Sequence, residues 1–309
     1  MSATDVRVIL PIDIRDTATT NITPEDPGTQ WAAGTYAKGD EVWLASTHLV
    51  YRSSVDGNTD DPLVGVESDP KTWVAIRPTN GFAMYSDVIQ EQTEFSDEIE
   101  VVFDSTSFSL FANSVAVFGA VGTEIQIVAE SVTFGGQFFT ETISLIDNSM
   151  IVNRWQYRYA PFLYRQTAFS TAFTSYPDAV ITVRVVNTGS TAKLGKIVIG
   201  ENLVLGEALA GVSYEPKVTG RTVTTDGKTE YITESVQQII RGEMKVNTSE
   251  SGIVAAAIGK KIGATPVPIS IDTRYEVLQT LGVLTTRHNW NPALAQRVSF
   301  KATSLEGSE

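Results

Sequence analysis

The chain has 309 residues, 42% hydrophobic and 19% charged, a composition that fits a folded protein of two or three domains and excludes disordered and fibrous classes. Its formal charge of −13 repels phosphate backbones and its 23 lysines and arginines are scattered, so nucleic acid is not an expected partner. The absence of cysteine removes disulfide scaffolds, cysteine nucleophiles and thiolate zinc sites.

From Val6 to Ile14 hydrophobic and polar residues alternate, with Val6, Val8, Leu10 and Ile12 on one face. That period of two predicts a strand or extended arm, not a signal peptide. No run approaches the roughly 20 apolar residues of a membrane span, so membrane insertion is not expected. The protein is expected to be made in the cytoplasm and to stay soluble, or to leave the cell by lysis or assembly. Residues 1–28 form an arm ending in the proline- and acid-rich hinge Thr23-Pro24-Glu25-Asp26-Pro27-Gly28. Two readings of the arm stay open: packing on a neighbouring subunit, or a strand completing its own domain.

Residues 29–80 read as a small aromatic module. Short β runs at Glu41 to Leu44 and Leu49 to Arg52 alternate with the turn signals Lys38-Gly39-Asp40 and Asp56-Gly57-Asn58. A segment this small buries little aliphatic area, so its Trp and Tyr rings must supply the core, with Trp31 and Trp73 expected inside. Arg77-Pro78-Thr79-Asn80-Gly81 marks its end.

From 81 to 205 six or more short strands separated by Gly, Asn, Asp or Ser predict a β-sandwich of jelly-roll type. The aromatic run Trp155 to Phe162 is expected in a long crossover or an edge strand. Residues 206–309 predict a C-terminal α+β assembly domain. It has a long hairpin from Tyr214 to Arg241 turning at Asp226-Gly227, and one helix from Ser249 to Lys261. Thr265 to Ile271 is expected as an edge strand because of its prolines, with two more strands at Tyr275 to Thr286 and Gln296 to Leu305. The expected fold class is mainly β.

Catalytic constellations are sparse. His48 and His288 are the only histidines and fall in different segments, and there is neither a Gly-x-Ser-x-Gly elbow nor a phosphate loop. Asp56, Asp60, Asp61, Glu67 and Asp69 cluster in the module's loop. The alternating oxygens of Asp56, Asn58 and Asp60 make a calcium candidate, but the pattern lacks the glycine and terminal glutamate of an EF-hand. A solvated acidic loop is the plainer reading. Neither enzymatic activity nor a cofactor is expected.

Trp31, Tyr36, Gly39, Asp40, Val42, Tyr51, Pro62 and Trp73 follow the order W…Y..GD.V……Y……P……W over residues 29–76. This pattern resembles the small chitin-binding-type carbohydrate-binding modules. The resemblance implies a three-stranded fold with glycan-binding aromatics, for which Tyr36, Trp43 and Tyr51 are the candidates. Where chitin-binding members carry exposed aromatics just after Tyr51, this chain has Arg52-Ser53-Ser54. The order of parts (β arm, aromatic module, Pro78-Thr79-Asn80-Gly81-Phe82 junction, β-sandwich, terminal α+β unit) is similar to that of tailed-bacteriophage proteins carrying such a module. That resemblance implies a structural virion protein of the tail tip or baseplate, a homo-oligomer in contact with other tail proteins. A host-surface glycan is the further implied partner, and a glycan-binding adhesion protein the alternative function.

Overall fold

The computed structural model describes residues 5–107, 112–147, 151–159, 161, 163–171, 173–174, 176–225, 228–247, 252, 256, 262, 265–273, 275–288 and 296–305. In chain order the first part contains β1 (Asp5–Pro11), β2 (Thr19–Thr20), β3 (Glu41–Leu44), β4 (Leu49–Ser53), α1 (Pro62–Glu67) and β5 (Trp73–Pro78). Next come β6 (Thr93–Asp104), β7 (Ser114–Phe118), β8 (Glu124–Ser131), β9 (Gly136–Ser144), β10 (Ile146–Asp147), α2 (Arg154–Tyr159), β11 (Leu163–Tyr164) and β12 (Ala168–Ser170). The remainder is β13 (Ala179–Leu194), β14 (Lys196–Ala208), β15 (Ser213–Thr225), β16 (Lys228–Val246), β17 (Val267–Ser270), β18 (Gln279–His288) and β19 (Gln296–Ser304). The protein is mainly β, as its sequence predicts.

A five-stranded sheet, β2-β6-β13-β8-β9, lies over the β12-β7-β14 end of a nine-stranded sheet and forms a β-sandwich with it. Strand alternation builds the core. Ile99, Val101 and Phe103, then Ile125, Ile127 and Ala129, then Ile181, Val183 and Val185 face Val115, Val117, Ile197 and Ile199 across the layers. Each fully buried side chain of this size contributes roughly 1.5–3 kcal/mol relative to exposure. Consecutive strands cross repeatedly between layers, from β6 to β7, β7 to β8, β12 to β13 and β13 to β14.

The nine-stranded sheet runs β12-β7-β14-β1-β17-β18-β19-β16-β15. It continues out of the sandwich into the C-terminal part, and β14 passes unbroken through residues 205 and 206. Of the two readings of the N-terminal arm, β1 takes the second: it pairs with β14 on one side and β17 on the other, inside its own chain's sheet. Val6 and Val8 pack in a second core with Ile240, Met244, Ile269 and Phe300. Ile9, on the opposite face, packs with Phe118, Phe169 and Val198.

Two expectations are corrected. The proline-containing strand β17 is not an edge, since it lies between β1 and β18. Its pairing with β1 covers only Ile269 and Ser270, so Pro268 sits just past the end of that ladder, where its missing N–H costs no bond. The run from Trp155 is not an edge strand at its start, because residues 154–159 are helical; it lies on the crossover from β9 in the five-stranded sheet to β12 in the nine-stranded one. The helix expected from Ser249 to Lys261 lies outside the described residues except for Gly252 and Ala256, both helical. The Tyr214 to Arg241 hairpin is present as β15 and β16, paired from Ser213↔Arg241 out to Thr225↔Lys228, while Asp226 and Gly227 lie outside the described residues.

Candidate functional site

The aromatic module is a three-stranded sheet, β3-β4-β5, closed by α1. Gly39 adopts a left-handed φ of 95° at the turn entering β3, and the Asp40 carboxylate accepts the Ala37 amide at 2.8 Å. Val42 then pairs with Tyr51, and both face a core centred on the fully buried Trp73. The Trp73 indole N–H donates to the Asp60 carbonyl at 2.9 Å, and Tyr36 meets its ring edge-on at 5.4 Å. Asp61 caps α1 by accepting the Leu63 amide at 2.8 Å, with Pro62 in the first turn. Gly65 lies against the indole, where a Cβ would run into Trp73 Cδ1 and Thr72 Oγ1.

The three glycan candidates do not share a surface. Tyr51 is corrected: it is buried, and its hydroxyl donates to Thr47 Oγ1 at 3.1 Å, so its ring is core and cannot stack on a sugar. Tyr36 is half-buried on the same side, its hydroxyl donating to the Ala32 carbonyl at 2.6 Å. Trp43 pairs with Val50 and projects from the other face, its indole N–H donating to the Gly28 carbonyl at 3.0 Å. Trp31, expected inside, is only half-buried.

The calcium candidates are tied to separate turns. Asp56 accepts the Lys38 amide at 2.9 Å, and Asp60 accepts the Thr72 hydroxyl at 2.9 Å. Asn58 is buried and spends its amide on Ser53 Oγ and the Thr72 carbonyl, and its oxygen on the Asp60 amide. Among the described residues, no group of three or more His, Asp or Glu side chains is placed to hold a metal ion.

The proline- and acid-rich segment expected as a hinge is a clasp. Asp26, its side chain fully buried, accepts Arg77 Nη1 at 2.8 Å, the Gly28 amide at 2.8 Å and the Asn80 amide at 3.0 Å. Burial pushes its carboxyl up, but the Arg77 guanidinium and the two amides outweigh that and hold it below the usual carboxylate range. Glu25 Oε1 accepts the Thr79 hydroxyl at 2.6 Å and lies 3.0 Å from His48 Nδ1, while its carbonyl accepts the Gly81 amide at 2.7 Å. The His48 ring stacks flat on Phe82. On the far side, Asn80 forms a two-bond amide clamp with the backbone of Glu94 in β6, at 2.9 and 2.8 Å. The junction thus fastens the module to the sandwich. Beside it opens a groove of about 430 Å³ walled by Arg15, Thr47, His48, Phe82 and Tyr85, whose phenol burial pushes up. The clasp's carboxylates are engaged by several donors each. No local sequence signal announces it, because apart from the Gly28 amide the partners of Glu25 and Asp26 lie 23 to 56 residues away.

Two surfaces are left without cover by the described residues of their own chain. None of the six residues of α2 is buried, and Trp155 and Tyr159 stack on each other one turn apart at 5.5 Å. Here a sequence signal exists. Asn153 accepts the amides of Trp155 and Gln156, and Gln156 reaches back to the Val152 amide, so Asn153-x-x-Gln156 works as a capping box. The second surface is the β15–β16 ribbon. From Lys228 to Val236, β16 pairs, among the described residues, only with β15, and β15 is the edge of the nine-stranded sheet. No protein-family model, curated protein or solved structure matches this chain.

Proposed function

We propose that the chain is a structural component of a bacteriophage virion, at the tail tip or baseplate, that assembles with copies of itself and with other tail proteins. The observation that carries the assembly reading is the ribbon. Its nine β16 residues from Lys228 to Val236 extend roughly 30 Å at about 3.3 Å per residue, supported among the described residues by β15 alone. Residues 213–219 of β15 are exposed on both faces. A two-stranded ribbon is marginal in water, and an open edge strand invites pairing, so such an element is stabilised by a neighbour. The tail location rests on the resemblance of the module, the Pro78 to Phe82 junction and the order of parts. Attachment to a host-surface glycan is the second role that resemblance implies, and with Tyr51 buried only Tyr36 and Trp43 are left to serve it.

Sedimentation velocity of the full chain and mass spectrometry of purified virions test the reading together. The expected outcome is a discrete oligomer at micromolar concentration and the presence of the chain in particles. A protein that stays monomeric at high concentration and is missing from virions would sink the proposal.

A further inference from the structure

The charge of this chain is unevenly divided. Between residues 148 and 177 there is no Asp or Glu and there are three arginines, in a protein of net charge −13. The centre of that stretch is α2. Trp155, Tyr157, Tyr159 and nearby Tyr164 are 73, 67, 67 and 58% exposed. At roughly 200 Å² per aromatic side chain, the stacked Trp155 and Tyr159 leave about 280 Å² open on one side of the helix, and Tyr157, two residues on, exposes its ring on another side. Arg154 and Arg158 form no ion pair among the described residues. The Arg158 guanidinium lies 5.9 Å from the Tyr159 ring, which leaves it free to meet a carboxylate.

The complementary surface is on the aromatic module. Residues 56–69 carry five acidic residues and no basic one. α1 lies in their midst and exposes Leu63 and Val64, an apolar centre with an acidic rim. The carboxylates of Glu67 and Asp69 make no hydrogen bond among the described residues. Aromatic rings with arginines on one face, and aliphatic side chains with carboxylates on the other, match in both apolar contact and sign of charge.

We propose that α2 of one copy docks on the α1 surface of a second copy of this chain. The inference rests on the self-assembly reading and adds a second contact to that of the ribbon. The two faces are different surfaces of one molecule, so the contact is heterologous and propagates from copy to copy, closing into a ring if the rotation allows. The arginines supply orientation and encounter rate, and the stacked rings supply the buried area.

The test is sedimentation velocity on the full chain over a concentration series, at low and at 0.5 M salt. The variants are Arg154→Glu/Arg158→Glu, Glu67→Lys/Asp69→Lys, and all four together, each checked for native circular dichroism. Trp155→Ala serves as a fourth variant that leaves the charges alone. Each reversal pair is expected to weaken association at least tenfold, as is Trp155→Ala, and the four-fold swap to restore most of it. If wild type associates and the reversals associate equally well, the contact is elsewhere and this inference is overturned while self-assembly stands. If both reversals weaken association but the swap does not recover it, the two faces do not meet and the inference is likewise overturned. A wild type monomeric throughout the series removes both this inference and the assembly reading.

Discussion

The buried carboxylate of Asp26 holds the Arg77 guanidinium at 2.8 Å across 51 residues of sequence, and the same carboxylate receives the amides of Gly28 and Asn80. One side chain therefore joins the segment entering the aromatic module to the segment leaving it. Replacing Asp26 by Ala orphans two amides and a half-buried guanidinium. A hydrogen bond to a charged group contributes about 1.5–3 kcal/mol, so a loss of about 2–3 kcal/mol is expected in urea unfolding. Faster proteolytic cleavage at residues 23–28 should accompany it. Unchanged unfolding and cleavage would mean that the clasp is held by Glu25 and the backbone alone.

The clasp should also open in acid. The folded-state value of Asp26 lies below its ordinary 3.8, so the stability it contributes is fully present above that value. It is lost as the pH falls through the lower, folded-state value. Tryptophan fluorescence, which reads Trp43 beside the clasp, should change in wild type as the pH falls below that ordinary value. In an Asp26→Asn variant that acid-dependent step should be absent. An identical acid profile in both would assign the transition to other carboxylates.

Tyr51 separates a core role from a sugar-stacking one. Tyr51→Ala is expected to cost about 3–5 kcal/mol, as for other large-to-small changes of buried aromatics. Tyr51→Phe should cost about 1 kcal/mol, the hydrogen bond to Thr47 alone. Glycan-array binding, if wild type shows any, should survive Tyr51→Phe and fall with Trp43→Ala. The reverse pattern would contradict the buried position.

Gly65 tests the packing of α1 on the indole. A Cβ there meets Trp73 and Thr72, so Gly65→Ala should cost about 1–3 kcal/mol through overpacking. Thermal unfolding followed at the module's tryptophans checks it. A variant as stable as wild type would show that α1 shifts freely.

The ribbon can be shortened without entering the sheet. Removing residues 220–234 and closing the Thr219↔Ser235 pair with Asn-Gly should leave unfolding within about 0.5 kcal/mol of wild type. Assembly should be lost. A shortened chain that oligomerises normally would shift the assembly role to other surfaces.

Alternation was legible wherever a strand faces one core. The Ile125, Ile127, Ala129 triplet of β8 and the Ile181, Val183, Val185 triplet of β13 announce both their strand and their buried face. The Asp226-Gly227 signal likewise announced the long hairpin, whose outermost described pair is Thr225↔Lys228. What sequence could not give was anything that depends on neighbours in space. Pro268 argued for an edge, and only the two-residue length of the β1 ladder explains how it lies inside a sheet. Tyr51 and Trp43 look alike in one dimension, and their register decides that one is core and the other is not. Glu25 and Asp26 read as a hinge because proline and acid usually mark one, and their donors lie far along the chain. The helix at Arg154 was legible through Asn153-x-x-Gln156 but was outweighed by the β-forming aromatics around it.

The position of β1 sets a timetable for synthesis. Its partners lie roughly 190 to 260 residues downstream, in β14 and β17. At about 5–20 residues per second the ribosome needs on the order of tens of seconds to supply them. For that interval Val6, Val8 and Ile9 have no sheet to enter. Until β14 and β17 arrive, β1 is an unpaired apolar strand open to pairing with other chains.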